Sequence, residues 1–158
     1  MTRYLLSIML TLCTLTLHAQ TQAQAKALFD EGKYEEAKPA LEKLVKQAPA
    51  NGSYSLWYGV SCLYTGDIQN AVKYLEQAVK RRVPSGQLYL GQAYNEAFRF
   101  EEAVSTLEAY RSDLVKRKRD TDEADRLLEC SRNGLRQMRG VERVMVIDSM
   151  VVDKPAFL

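Results

Sequence analysis

The sequence has little of the residues that carry most catalytic and metal chemistry. Its 158 residues include one histidine and three cysteines. The histidine, His18, lies in an N-terminal leader that we expect to be cleaved. The mature chain would then have no histidine, the residue that most often serves as a general base and as a nitrogen ligand for metals. Cys62 and Cys130 then remain, too few for a zinc site without histidine. Stacked helices also hold them too far apart for a disulfide, so we predict two free, buried thiols.

The chain also lacks an excess of charge of one sign. Lysine and arginine total 22, aspartate and glutamate 20, so the net charge of +2 implies no nucleic-acid partner. The basic run at residues 116–119 has acidic neighbours and is typical of a solvated helix end. Glycine-rich phosphate-binding motifs are missing. Adjacent carboxylates such as Glu35 and Glu36 point to different sides of a helix. An enzyme that uses a lysine nucleophile remains an alternative, but we predict that the protein is not an enzyme and has no catalytic residue, metal or cofactor.

A long hydrophobic run is present only near the N-terminus. After Arg3, residues 5–17 are mostly apolar, but the run is shorter than the roughly 20 residues of a membrane-spanning helix. Ala19 then offers a small residue before Gln20, so residues 1–19 are predicted to be a secretory signal peptide. The alternatives are a buried helix or an anchor. Lipidation of Cys13 is disfavoured because Leu12 precedes it.

One pattern occurs three times. Each copy begins with a small residue. Counted from it, a large apolar residue follows nine positions later, a second small residue twelve positions later and a leucine sixteen positions later. The copies are Ala25, Tyr34, Ala37 and Leu41; Gly59, Ile68, Ala71 and Leu75; and Gly91, Phe100, Ala103 and Leu107. Small residues let helix backbones approach closely, and apolar residues four apart lie on one helix face. The pattern therefore predicts three antiparallel helix pairs stacked in series.

The repeats resemble the tetratricopeptide repeat family over roughly residues 21–115. The resemblance is carried by Leu28, Gly32, Tyr34, Ala37, Leu41 and Pro49, by Gly59, Gly66, Ala71, Leu75 and Ala78, and by Gly91, Tyr94, Phe100, Ala103 and Leu107. It implies an all-α fold, a right-handed α-α superhelix (solenoid) of three helix pairs with a capping helix. Phe98 replaces the glycine between the paired helices in the third copy, so we expect that turn to differ and the last helix to run on.

The resemblance also implies that a protein or peptide partner binds in a concave groove formed by the first helix of each pair. Carried over residue by residue, the groove consists of Lys26, Phe29, Leu56, Val60, Leu63, Tyr64, Leu88, Gln92 and Asn95. An apolar centre with a polar flank suits a helix or an extended peptide with an apolar anchor. The alternative, that some of these residues only pack against the next helix, stays open. The implied function is a non-catalytic protein–protein interaction scaffold.

Two further segments follow the repeats. Residues 121–139 are predicted to form the capping helix, with Thr121 as its N-cap and a broken apolar stripe that includes Leu128 and Leu135. A fourth, degenerate repeat is the alternative. The repeat domain would then span residues 20–139. Beyond it, residues 144–147 and 150–152 are apolar and β-branched, so residues 140–158 are predicted to be a strand-like, extended tail.

The tail resembles a junction in exported Bacteroidota envelope proteins, where such repeats lead into a β-propeller and an outer-membrane-protein-A type module. The segments that carry this resemblance are Val146-Ile147-Asp148-Ser149 and Val151-Val152-Asp153-Lys154. It implies a location in the periplasm or at the outer membrane. It also leaves a second function open, the N-terminal part of a longer cell-wall-tethering protein whose β domain begins in the tail.

Overall fold

The computed structural model describes the backbone of residues 21–152 and the side chains of residues 21–140. Seven helices account for most of this part of the chain, and it contains no strand. They are α1 (21–30), α2 (Tyr34–Gln47), α3 (Gly52–Tyr64), α4 (Ile68–Lys80), α5 (Gly86–Glu96), α6 (Phe100–Lys116) and α7 (Asp122–Val152). The predicted all-α fold of helix pairs with a following helix is confirmed. The predicted signal peptide lies outside the described residues.

The chain divides into two compact units, Met1–Tyr89 and Leu90–Leu158, with the boundary inside α5. In the first unit, α3 packs against both α2 and α4. In the second unit, α6 packs against α7. None of the helices in the described part of the chain combines the length and the apolar character that crossing a membrane requires.

Close helix approach depends on the small residues of the repeat pattern. Ala37, Ala71 and Ala103 are completely buried. A Cβ atom added at Gly59 would lie 2.8 Å from Cγ and 3.1 Å from the backbone nitrogen of Leu75. One added at Gly91 would lie 2.6 Å from Cδ2 of Leu107. Since real Cβ contacts are longer than this, each glycine lets its helix pack directly on the leucine of its partner helix.

The turn inside each helix pair has the same backbone geometry in all three copies. The N–H groups of residues 33, 67 and 99 donate to the carbonyls of residues 28, 62 and 94 over 2.9, 2.9 and 2.8 Å. A left-handed residue precedes each donor, with φ of +74° at Gly32, +78° at Gly66 and +57° at Phe98. The expectation that the third turn differs is therefore wrong, because the hydrogen bond holds Phe98 in the conformation that glycine adopts elsewhere. The helix after it is longer, since α6 has 17 residues against 14 in α2 and 13 in α4.

The predicted strand-like tail is wrong as far as the described backbone extends. Helix α7 begins at Asp122, directly after Thr121, and continues to Val152 through both β-branched segments. A helix that has started gains one backbone hydrogen bond for each residue added, while β-branched side chains lower helix propensity only slightly. A strand would need a neighbour, and the described residues contain none. Residues 153–158 lie outside them.

The two cysteines within the described residues differ in environment. Both are free thiols, Cys62 buried in α3 and Cys130 exposed on α7. The prediction that both are buried is therefore wrong for Cys130. On α7 the buried positions nearby are Leu128 and Ser131, so Cys130 faces away from the side that packs against α6. Burial raises the pKa of the Cys62 thiol to about 11.

Candidate protein-binding site

Five aromatic side chains of the first unit form a continuous chain of ring contacts. The rings of Tyr34 and Tyr64 stack nearly parallel, with centroids 4.7 Å apart and an interplanar angle of 13°. Phe29 meets Tyr34 edge-on at 5.7 Å and lies 6.3 Å from Trp57. Tyr54 continues the chain, 5.7 Å from Trp57. We call these five residues the Trp57 surface.

Local structure explains why these rings meet. Phe29 lies near the end of α1, and the turn at Gly32 places Tyr34 at the start of α2, beside it. The other three rings lie on α3, where Trp57 is three residues after Tyr54 and seven before Tyr64, spacings that share one helix face. The side chain of Asn51 caps α3 by accepting from the backbone N–H of Ser53 at 3.0 Å.

The Trp57 surface reaches solvent. Tyr64 is 50% exposed, and the other four rings are half-buried. The ammonium of Lys26 lies 5.4 Å from the ring centroid of Trp57 and also pairs with Asp30 one turn along α1. A cation over an indole face is attracted by the ring quadrupole. The result is a partly exposed aromatic surface with one positive charge at its edge.

Four of these side chains also carry a hydrogen-bonding group, namely the hydroxyls of Tyr34, Tyr54 and Tyr64 and the indole N–H of Trp57. Burial raises the pKa of Tyr34, with a smaller contribution from neighbouring Tyr64, so its phenol stays protonated at neutral pH. Tyr and Trp combine a large apolar ring with a hydrogen-bond donor, which makes them common at protein interfaces.

The structure brings together three of the predicted groove residues, Lys26, Phe29 and Tyr64, and places half-buried Leu56 on α3 one position before Trp57. Three others are core residues, because Val60 is 1% exposed and Leu63 and Leu88 are each 6% exposed. Their prediction as partner-contacting residues therefore disagrees with their burial. The cause is that α3 packs against helices on two sides, which buries every residue from Tyr58 to Leu63.

The last two predicted residues belong to the second unit. Gln92 is half-buried on α5. Asn95, three residues further on, has both polar atoms of its amide buried without a hydrogen-bond partner in the described part of the chain. A buried amide without a partner costs roughly 1–3 kcal/mol. That these residues and those of the first unit line one groove stays a prediction.

Sequence reasoning missed Tyr34, Tyr54 and Trp57 as surface residues. Tyr34 was interpreted only as the large apolar residue of the repeat pattern. The missed signal was the spacing of Tyr54, Trp57 and Tyr64 along one helix face, together with the single tryptophan of the chain. Contact with Phe29 and Tyr34, however, depends on how α1 and α2 lie against α3.

The described part of the second unit carries several shallow clefts, two of which lie between α6 and α7. The first, of about 600 Å³ between α6 and α7, is bordered by the ion pairs Arg111–Asp125 and Arg132–Glu108. The second, of about 280 Å³, includes Phe98, which is 74% exposed. Four of the charges that line the first cleft are therefore paired with one another, and Lys116 lines it as well. Nowhere in residues 21–140 do three or more histidine, cysteine, aspartate or glutamate side chains cluster as metal ligands would.

Comparison with known proteins agrees with this architecture. The family model "Tetratricopeptide repeat" matches residues 23–67 and 61–123. Among solved structures, the chain is similar to the TPR2B domain of yeast Sti1 in a complex with pHsp70, at 16% identity and a TM-score of 0.65, covering 73% of this chain and 96% of that one. It is also similar to the Sgt2 TPR domain of Aspergillus fumigatus, at 18% identity and a TM-score of 0.62, covering 89% and 87%. No curated protein sequence matches.

Proposed function

Because the chain belongs to the tetratricopeptide repeat family, we propose that it is a non-catalytic scaffold that binds a partner polypeptide at the Trp57 surface. Domains of this family are protein–protein interaction modules. The proposal narrows the predicted groove to the aromatic surface of the first unit, with Lys26 at its border.

The observation that carries the proposal is the continuous chain of five rings that ends in half-exposed Tyr64. Aromatic side chains contribute a large apolar area at low conformational cost, and binding hot spots are enriched in Trp and Tyr. These features favour a surface that a ligand completes.

Site-specific crosslinking in living cells tests the proposal. A photoreactive phenylalanine replaces Tyr64, and the control places the same residue at Val115 of the second unit. The two positions match in exposure, at 50% and 54%. We expect a discrete adduct from position 64, absent from position 115 and abolished by Trp57→Ala in a chain that circular dichroism shows to be folded. Equal adducts from both positions, or none from 64, would remove the assignment.

We also propose that the mature protein acts outside the cytoplasm, in the periplasm or at the outer membrane. The support is the pattern of residues 1–19, which has a basic start, an apolar run and a small residue before Gln20. N-terminal sequencing of the protein from a periplasmic fraction should begin at Gln20. Protein that retains Met1 and stays in the cytoplasmic fraction would contradict export. The second hypothesis, a cell-wall-tethering protein, loses the support of a strand-like tail because residues 141–152 are helical.

A further inference from the structure

We infer that a cleft of the second unit, beside Phe98, is a surface through which two copies of this chain associate about a two-fold axis. The inference goes beyond the proposed function, because every residue of this cleft lies outside the first unit and its Trp57 surface. Three observations carry it: an aromatic side chain that the fold does not explain, a cleft of side-chain size next to it, and a rim whose charges complement themselves.

Phe98 occupies a position where the fold favours glycine. It holds the left-handed conformation of the turn, with φ of +57°, where the equivalent turns have Gly32 and Gly66. A side chain in this conformation costs roughly 1–2 kcal/mol. Burial offsets little of that cost, since Phe98 is 74% exposed. A residue that strains the backbone and gains little burial is evidence for a role other than folding.

A shallow cleft of about 280 Å³ adjoins the Phe98 ring. Its apolar lining consists of Phe98, Phe100, Leu135 and Met138, and Met138 is 45% exposed. Phe100 meets Phe98 edge-on, with ring centroids 6.1 Å apart, and lies against Gly134 of α7, where an added Cβ atom would be 2.8 Å from its Cδ1. Small-molecule sites enclose roughly 300–1,000 Å³ and bury most of the ligand. This cleft is smaller and shallow, so it suits one large apolar side chain.

The exposed ring and the cleft lie side by side, which is the arrangement that a two-fold contact requires. In such a contact, a residue i of one copy meets a residue j of the other, and j meets i in return. Phe98 of each copy would therefore enter the cleft of the other copy, beside Met138. Because the contact occurs on both sides of the axis, each substitution in the cleft removes it twice.

The charges around the cleft also match a second copy. Two ion pairs border it, Arg99–Glu102 with 2.9 Å between Nε and Oε1, and Arg139–Glu101 with 3.4 Å between Nη2 and Oε1. A rim with two charges of each sign is neutral, so a second copy is not repelled and can exchange Arg–Glu partners across the axis. An acidic or a basic partner would meet like charges at half of this rim. A neutral protein of another sequence is the alternative that the experiment must separate.

Sedimentation velocity of the full chain over a wide range of protein concentrations tests the inference. We expect the parent to change from monomer to dimer as the concentration rises. Phe98→Gly should raise the dissociation constant at least about thirtyfold, the effect of removing a hot-spot residue. Because this substitution also relieves backbone strain, a lost dimer cannot be ascribed to a damaged fold.

The matched control is Lys118→Gly. Lys118 holds the same left-handed conformation, with φ of +54°, just beyond the other end of α6, so its replacement relieves similar strain without touching the cleft. It should leave the dissociation constant unchanged. The inference is overturned by a parent that stays monomeric throughout, as it would if the cleft took an unlike protein. It is equally overturned if Phe98→Gly dimerises like the parent or if both variants weaken the dimer to the same extent.

Charge reversal tests whether the partner is a second copy. One variant carries Glu101→Arg and Glu102→Arg, and the other carries Arg99→Glu and Arg139→Glu, so each rim has charges of a single sign. We expect neither variant to dimerise alone, because like charges then face each other across the axis, and an equimolar mixture to dimerise again. Circular dichroism checks that both variants are folded. Variants that each dimerise like the parent, or a mixture of folded variants that stays monomeric, would contradict the assignment of this rim.

Discussion

Replacing Gly91 by alanine should destabilise the protein, although alanine is the better helix former. The added methyl group would lie 2.6 Å from Cδ2 and 3.0 Å from Cδ1 of Leu107, a side chain that is completely buried. Alanine gains about 1 kcal/mol of helix propensity over glycine. Overpacking a core costs about 1–3 kcal/mol, because the neighbours must move or leave their rotamers. The difference is a net loss of up to about 2 kcal/mol in the free energy of unfolding.

The matched control is the same substitution at Gly140. This glycine lies within α7, and a Cβ added there would meet nothing within 4 Å. With no clash, only the propensity gain remains, so Gly140→Ala should raise the free energy of unfolding by about 1 kcal/mol. Urea titrations followed by circular dichroism at equal protein concentration measure both values. Opposite signs for one chemical change would show that packing decides the outcome at Gly91.

A double-mutant cycle identifies the neighbour responsible. In a Leu107→Ala background the clashing atoms are gone, so Gly91→Ala should become neutral or stabilising. The expected coupling energy between the two positions is about 1–3 kcal/mol. If Gly91→Ala costs the same in both backgrounds, the close contact of α5 with Leu107 is not what requires glycine, and the explanation of the small residues in the repeat fails.

Three further predictions concern a cap, a turn and the thiols. Asp67→Ala removes the N-cap of α4 and should lower the free energy of unfolding by about 1 kcal/mol at neutral pH. Hydrogen bonding from Asn70 lowers the pKa of Asp67 below its ordinary 3.8. The difference in free energy of unfolding between variant and parent, measured in urea, should therefore shrink as the pH falls below 3.8. Phe98→Gly should raise the free energy of unfolding by about 1 kcal/mol, because φ is +57° at this residue and glycine adopts that left-handed conformation without the steric cost of a side chain. A decrease would contradict this prediction. In a Cys13→Ser chain near pH 8, iodoacetamide should label exposed Cys130 but not Cys62, which is buried and has a pKa raised to about 11. Mass spectrometry identifies the labelled residue, and fast labelling of both cysteines would contradict the prediction.

The spacing of small and large apolar residues was enough to predict the helix pairs. Helical periodicity is local, so residues four apart lie on one face whatever surrounds the helix. The same holds for the turns at Gly32 and Gly66, where a left-handed residue closes the helix end. The sequence did not show that Phe98 adopts that conformation too, since phenylalanine does so only when the flanking hydrogen bonds hold it there.

Burial is where sequence reasoning was weakest. Val60 and Leu63 were placed in the groove by carrying over the family's positions, with packing against the next helix left open as the alternative. The helix instead contacts neighbours on two sides, and both residues are core. The tail was misassigned for a related reason, because β-branched residues favour strands only when a neighbouring strand exists to pair with.

From the sequence alone came the repeat, the helix pairs, the family and the expectation of a binding rather than a catalytic role. These follow from regular spacing within the chain, which needs no knowledge of distant contacts. Only the tertiary structure showed the Trp57 surface, because Phe29, Tyr34 and Trp57 become neighbours through the packing of α1 and α2 on α3. A surface assembled from three helices has no period of its own in the sequence, so its residues could be recognised only once the helices were placed.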